Sequence, residues 1–345
     1  MNTATALYLY LDIETAPTHD PVLVDELFLK HTAVATIDLS TITAAANLKD
    51  ETKIAEEIAK RRAKALADQD AARAKGFAEY EEAFRKTCLD ATTGHIACIS
   101  LALGGDDVFH VSNTALHGYA DPMDADLVPL DDVLAAERRM LEVFFFEVEA
   151  MLSQRARGRA EADWEAHEPR QIKDGHWQLM ISGTAHKYSR FVSGREHFVR
   201  ENIHPVMPIV VAHHAGFDLR YIWQRAIILG VPVPTWWPHE AKPWDTSRVE
   251  DTMTGWSGAT GRIGLNRLCK ALGIPDKEGM DGSKVWDAIR EGRLADVCAY
   301  CDGDVERLRA VHRRIRQFAI TETTKVETFS TSAGGHVGFV AEGGH

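Results

Sequence analysis

The chain has 345 residues, 45% of them hydrophobic and 26% charged. This ordinary globular composition excludes whole-chain disorder and fits about two domains or one elaborated domain. Lys+Arg number 39 and Asp+Glu 51, a net charge of −12, which excludes a broad basic face coating long nucleic acid but not a local grip on one strand end. The cysteines Cys88, Cys98, Cys269, Cys298 and Cys301 are sparse and odd in number. They read as free thiols of a reducing compartment.

Residues 6–13 (ALYLYLDI) are short and β-rich and predict a buried strand. No basic leader precedes them, and no apolar run approaches the ~18 residues of a membrane span. The protein is therefore expected to be soluble and cytoplasmic, with no membrane partner. Residues 50–87 are rich in Ala, Glu, Lys and Arg, with Ile54, Ile58, Leu66, Phe77, Tyr80 and Phe84 at helical spacing. They predict one long helix or a helical pair, inserted over about 45–90. Strands follow at Ile96–Leu103 and Asp107–Ser112, joined by a turn at Gly104–Gly105. Pro129 and Asp131–Asp132 mark a helix start, with helical periodicity over Val133–Leu152. Residues 153–205 are polar and basic-leaning and yield no clear element.

Pro208–Ala212 (PIVVA) predicts another buried strand, and Gly216–Leu229 a helix stopped by Gly230 and Pro232. Val231–Trp244, rich in Pro and Trp, reads as an extended connection. Helices are predicted at Leu265–Leu272, Lys284–Arg290 and Leu294–Ile315. Beyond about Ile320 the chain is rich in Thr, Ser and Gly and reads as a disordered tail. Single strands interleaved with helices suggest a mixed sheet flanked by helices.

Three acidic clusters stand out. Asp12 and Glu14 end the first strand, and their i, i+2 spacing puts both carboxylates on one face, where the sheet edge of an open α/β fold meets solvent. Asp218, in HHAGFD after the strand PIVVA, falls in the first turn of a helix, where the helix dipole favours negative charge. Tyr300 and Asp304, in AYCDGDVERL, are four apart and share a helix face, while Asp302 points elsewhere. Each cluster alone is ordinary: a strand end, a helix-start acid, a solvated acidic face. Together, four carboxylates can converge on two divalent cations such as Mg²⁺ or Mn²⁺, which prefer oxygen ligands. Two such ions clamp the attacking and leaving oxygens of a phosphodiester. Cys298 and Cys301 form a C-x-x-C without the second pair that a zinc site needs. GMDGSK, Gly279–Lys284, lacks the spacing of a phosphate loop.

The order D-x-E, F-D, Y-x-x-x-D resembles the three motifs of the DEDD 3′–5′ exonucleases, in the tyrosine-bearing branch. The histidine-bearing branch would put His where this chain has Ala299. The text around the motifs (LDIETAP, TTGHIACISLAL, HHAGFDLRYIWQRAIILGVPVP, WDTSR, LCKALGIPDKEGMDGSKVWDAI, YCDGDVERL) is similar to stand-alone exonucleases related to the proofreading domain of family B DNA polymerases. It spans about residues 5–315, weakly over 153–205.

The resemblance implies a ribonuclease H-like mixed β-sheet flanked by helices, with helical insertions. One exonuclease domain would cover 1–318, with a variable insertion at about 153–205 and a tail at 319–345. It also implies that Asp12, Glu14 and Asp304 bind the metal at the attacking water, that Asp12 bridges to a second metal held by Asp218, and that Tyr300 positions or helps deprotonate the nucleophile. The family usually has Asn four residues before the second-motif aspartate. Here that position is His214, a titratable group among the expected substrate contacts. Phe217 or Trp256 is a candidate to stack the terminal base. The expected substrate is nucleic acid with a free 3′ end, single-stranded DNA first, and any protein partners would belong to replication, repair or recombination. An exoribonuclease of the same fold, or an inactive module that binds nucleic acid or a partner protein, remains the alternative.

Overall fold

The computed structural model describes residues 6–116, 128–172, 176–182, 187–240, 242, 245–275 and 280–317. The expected tail at 319–345, the Trp244 end of the Pro/Trp connection and Gly279 lie outside the described residues.

The first strand, β1 (Tyr8–Ala16), is followed by two helices, α1 (Pro21–Thr32) and α2 (Glu51–Lys86). Residues 50–87 thus form one helix of 36 residues, started by Asp50, whose side chain accepts from the backbone N–H of Thr52 and Lys53. The shorter α1, missed in the sequence, packs against it. Gly76 permits this contact, because a Cβ there would lie 2.4 Å from the His31 carbonyl oxygen. At the base of α2, Tyr80 and Phe84 are buried against Trp286 and Val24.

Next come β2 (His95–Leu103), β3 (Phe109–Ser112) and α3 (Leu130–Ala166). The last runs fourteen residues past the Leu152 end expected from periodicity. The buried stripe continues as Leu152, Ala156, Ala160 and Trp164, and alanines at two of its positions made it invisible to a hydrophobic reading. Residues 153–205, which yielded no clear element, therefore hold the end of α3, a small antiparallel sheet of β4 (Arg170–Gln171), β5 (Trp177–Ser182) and β6 (Lys187–Val192), and α4 (Arg195–Glu201). They have their own core of Ala160, Trp164, Leu179, Val192, Phe198 and Val199.

The chain then returns to the main sheet through β7 (Ile209–Ala212), α5 (Ala215–Leu229) and β8 (Val249–Asp251), and closes with α6 (Thr252–Ser257), α7 (Leu265–Leu272), α8 (Val285–Arg290) and α9 (Leu294–Gln317). The main sheet has the order β3-β2-β1-β7-β8. β1 is antiparallel to β2 and parallel to β7, and β7 is parallel to β8. This mixed sheet with flanking helices is the ribonuclease H-like α/β architecture expected from the sequence.

Alternation along β1 sorts its residues between the layers. Leu9, Leu11 and Ile13 join the core with α3 and α5, and Tyr10 faces α9 with Ala102, Val211, Val305 and Leu308. A buried polar network ties the first layer. Glu137 of α3 accepts from Arg225 of α5 at 2.7 and 2.8 Å and from the Ile96 N–H at 2.9 Å, and lies 3.0 Å from His95 Nδ1. On the other side, His312 of α9 reaches Tyr10 Oη at 3.0 Å and Glu250 of β8 at 2.7 Å, which pins the rotation of α9 over the sheet. Among the described residues no helix is long and apolar enough to cross a membrane.

Candidate active site

Asp12 and Glu14 project from the carboxyl-terminal half of β1 on the side covered by α9, just before the register break between Glu14 and Thr15. The pin at His312 presents Tyr300 and Asp304, roughly three and two turns earlier on the helix, to those carboxylates. As a result, Asp12, Glu14 and Asp304 offer oxygens within 4.8 Å of one another. Asp218, in the first turn of α5, comes from the helix on the opposite face of the sheet and is buried, with its Oδ2 lacking a hydrogen-bond partner. It stands outside the tight trio but close enough for its charge to act on Glu14.

Burial, then the charge of Asp304, pushes the Asp12 carboxyl up to about 8. Glu14 is raised by burial, then by Asp12, Asp304 and Asp218. Asp218 is raised by burial, then by Asp12 and Asp251. Carboxylates that lift one another in this way make poor neighbours without a cation and a strong ligand set with one. The donor set is all oxygen, and Asp218 Oδ2 is an unmatched acceptor, so the residues fit hard divalent cations.

Tyr300 is hydrogen-bonded to Asp304, and burial together with the Asp304, Glu14 and Asp12 charges pushes its phenol well above the ordinary value. Asp302 turns away as its helical position predicts: it accepts from Ser100 Oγ at 2.7 Å and meets His110 Nδ1 at 2.9 Å.

His214 occupies the turn from β7 into α5 with φ 75, a left-handed conformation uncommon outside glycine. Its N–H donates to Asp251 Oδ1, and its exposed ring stacks on Phe217 at 5.9 Å and 12°. Phe217 also packs on the main core. A cleft of about 150 Å³ opens beside this turn, lined by His214, the start of α5, Lys242, Asp251 and Arg262 among others. Trp256 is half exposed on α6, and no contact described joins it to the carboxylates.

Three neighbours escaped the sequence reading. Arg307, one turn after Asp304, is buried and ion-paired to it, with its guanidinium 5.7 Å from the centre of the Tyr300 ring. Its i+3 spacing was the available signal. Cys301 donates to Asp12 Oδ2 at 3.4 Å and to the Asp12 carbonyl at 3.5 Å. Asp251 accepts from the N–H groups of Met253 and Thr254 as the cap of α6. The C-x-x-C spacing marked Cys301 but not its place beside Asp12, and nothing local distinguished Asp251, because each acquires its neighbours from a distant segment.

The acids lie at the carboxyl end of a parallel pair of strands flanked by helices, where open α/β sheets bind their ligands. Residues 196–329 match the model of a family described as predicted 3′–5′ exonucleases related to the exonuclease domain of PolB, the resemblance that the motifs carry. The match takes in Asp218, Tyr300 and Asp304 and leaves Asp12 and Glu14 outside it. Among curated proteins and among solved structures, none matches the chain.

Proposed function

We propose that this protein is a 3′–5′ exonuclease that removes mononucleotides, as 5′-monophosphates, from the free 3′ end of single-stranded DNA, with two divalent cations, Mg²⁺ or Mn²⁺, held by Asp12, Glu14, Asp218 and Asp304. The observation that carries this reading is the convergence of Asp12, Glu14 and Asp304 within 4.8 Å, beside a tyrosine hydrogen-bonded to one of them. Asp12, Glu14 and Asp304 would hold one ion, and Asp12 and Asp218 the other. When bound, the pair of ions supplies positive charge at the attacking and leaving oxygens of the phosphodiester.

The chain's own groups have distinct tasks. Tyr300, hydrogen-bonded to Asp304, positions the attacking water through its hydroxyl or helps deprotonate it. Asp12, bonded from behind by Cys301, is held in one rotamer. The stacked His214–Phe217 pair offers a flat edge to the terminal base, a contact of ~1–3 kcal/mol where a base stacks. Lys242 and Arg262, beside the same cleft, favour the phosphates of the entering strand. A net charge of −12 suits an enzyme that engages a few phosphates per turnover.

The test is digestion of a 5′-labelled single strand, DNA and RNA of the same sequence, in Mg²⁺, Mn²⁺ or EDTA. The expected result is a metal-dependent ladder shortening from the 3′ end, faster on DNA and slowed by a 3′-phosphate. A ladder on RNA alone assigns the alternative substrate. Binding without cleavage, or equal rates on circular and linear strands, overturns the reading.

A further inference from the structure

Three of the five cysteines, Cys98, Cys298 and Cys301, cluster behind the carboxylate site. The face of β2 under α9 carries Cys98, Ser100 and Ala102, small side chains that let the helix approach closely. Cys98, buried there, is hydrogen-bonded to both Cys298 and Cys301 of α9. Cys301 in turn donates to Asp12 Oδ2 at 3.4 Å. Cys98 is also the cross-strand partner of Glu14, beside the register break at Glu14/Thr15. The thiols therefore contact the carboxylate site at two points, through Cys301 to Asp12 and through the ladder to Glu14.

The three thiols differ in chemistry. Cys298 is buried, 3% exposed, under the seam of β3 and α9, beside the partly exposed His110 and Asp302. Its hydrogen bond with Cys98, aided by His110 and opposed by burial, brings its thiol down to about 7, which favours the nucleophilic thiolate. Burial pushes the Cys301 thiol up and keeps it protonated.

We propose that Cys98 and Cys298 are an oxidation site, a thiol pair that a hydroperoxide converts to a disulfide and that thereby switches off the adjacent carboxylate site. The Cys298 thiolate attacks one oxygen of the peroxide. The O–O bond breaks, a sulfenic acid forms, and the departing hydroxide takes up a proton as water. Cys98 sulfur then attacks the sulfenic sulfur: the S–S bond forms, the S–O bond breaks, and the hydroxyl leaves with the Cys98 proton as a second water. Two thiols and one hydrogen peroxide yield one disulfide and two waters, and an added dithiol reverses the step. Closing the S–S bond draws Cys98 away from Cys301 and pulls β2 at the residue opposite Glu14. The loss of activity rests on the exonuclease reading above, whereas the disulfide does not.

The experiment treats the reduced full chain with hydrogen peroxide, then maps peptides by mass without reduction and measures strand digestion in Mn²⁺. The expected map shows a Cys98–Cys298 link with two hydrogens lost. Digestion should fall by ~10²-fold, the scale for a displacement of about 1 Å at a reacting centre, and dithiothreitol should restore it. Cys298→Ser and, separately, Cys98→Ser should digest normally when reduced and resist peroxide, whereas Cys88→Ser and Cys269→Ser should respond as wild type. Oxidation that stops at sulfenic or sulfinic acid, links other cysteines, or forms the expected link with an unchanged rate overturns the proposal. If the reduced protein digests nothing, the exonuclease reading fails, and the peptide map still decides the thiol pair.

Discussion

Replacing Asp12 with asparagine should stabilise the metal-free protein, increasingly so as the pH rises. Burial and Asp304 carry the Asp12 carboxyl from its ordinary 3.8 to about 8. The folded chain therefore keeps a proton that the unfolded chain releases, and the stability this proton supports is complete below 3.8 and lost as pH rises through about 8. Each pH unit in that interval costs at most about 1.4 kcal/mol, so the penalty is roughly 1 kcal/mol near pH 5 and grows to a few kcal/mol near pH 8 for this partly buried carboxylate, which shares its charge with its neighbours. The asparagine side chain would keep the shape and carry no charge, at the cost of the attraction that Arg307 exerts on Asp12, so the upper figure is a ceiling. Urea unfolding in EDTA at both pH values measures the gap between the two proteins. Added Mn²⁺ should invert their order, because it binds and stabilises only the intact ligand set. A gap that is absent, or that shrinks as pH rises, would refute the assignment of Asp12 to a crowded carboxylate site.

Tyr300→Phe should retain Mn²⁺ binding, followed by metal titration, and digest more slowly by ~10²–10⁴-fold. Asp302→Asn should digest at close to the wild-type rate, because that carboxylate is engaged by Ser100 and His110, and the reverse pattern would mean that α9 is rotated. Glu137→Ala leaves Arg225 buried without its partner and should cost ~3–5 kcal/mol in thermal or urea unfolding. Burial raises the Glu137 carboxyl, but His95 and Arg225 outweigh it and hold the group below its ordinary value. Its contribution should therefore persist at neutral pH and disappear as the pH falls through the folded-state value, a dependence that Glu137→Gln should flatten. Gly76→Ala, whose Cβ would sit 2.4 Å from the His31 carbonyl oxygen, should cost ~1–3 kcal/mol by overpacking, read as a lower melting temperature with digestion unchanged.

The legible parts of the chain are those in which neighbours in sequence are neighbours in space. Asp12 and Glu14 share a face because a strand repeats every two residues, and Tyr300 and Asp304 share one because a helix repeats every 3.6. The start of α5 places Asp218 in a first turn wherever the helix goes. The apolar runs of β1, β2 and β7 likewise announced buried strands. The long continuation of α3 was hidden, because its buried stripe runs through Ala156 and Ala160, small side chains that a hydropathy pattern barely registers, and Ala160 packs in the core shared with α4 and the small sheet. β8 escaped for a different reason: Val249–Asp251 is three residues long, too short to show a period.

By itself the sequence pointed to four acids and a tyrosine as the candidate site, through local spacing and the family resemblance of their motifs, and the structure brings three of those acids together. Only the tertiary structure decided their company. Arg307 faces Asp304 and Tyr300 because Tyr10 and Glu250 fix the rotation of α9 through His312. Cys301 reaches Asp12 across 289 residues because the small face of β2 lets that helix come close. His214 takes its left-handed turn where Asp251, on a neighbouring strand, accepts its N–H. Charge, burial and hydrogen bonds depend on distances through space, and chain separation does not encode those distances until the sheet has set them.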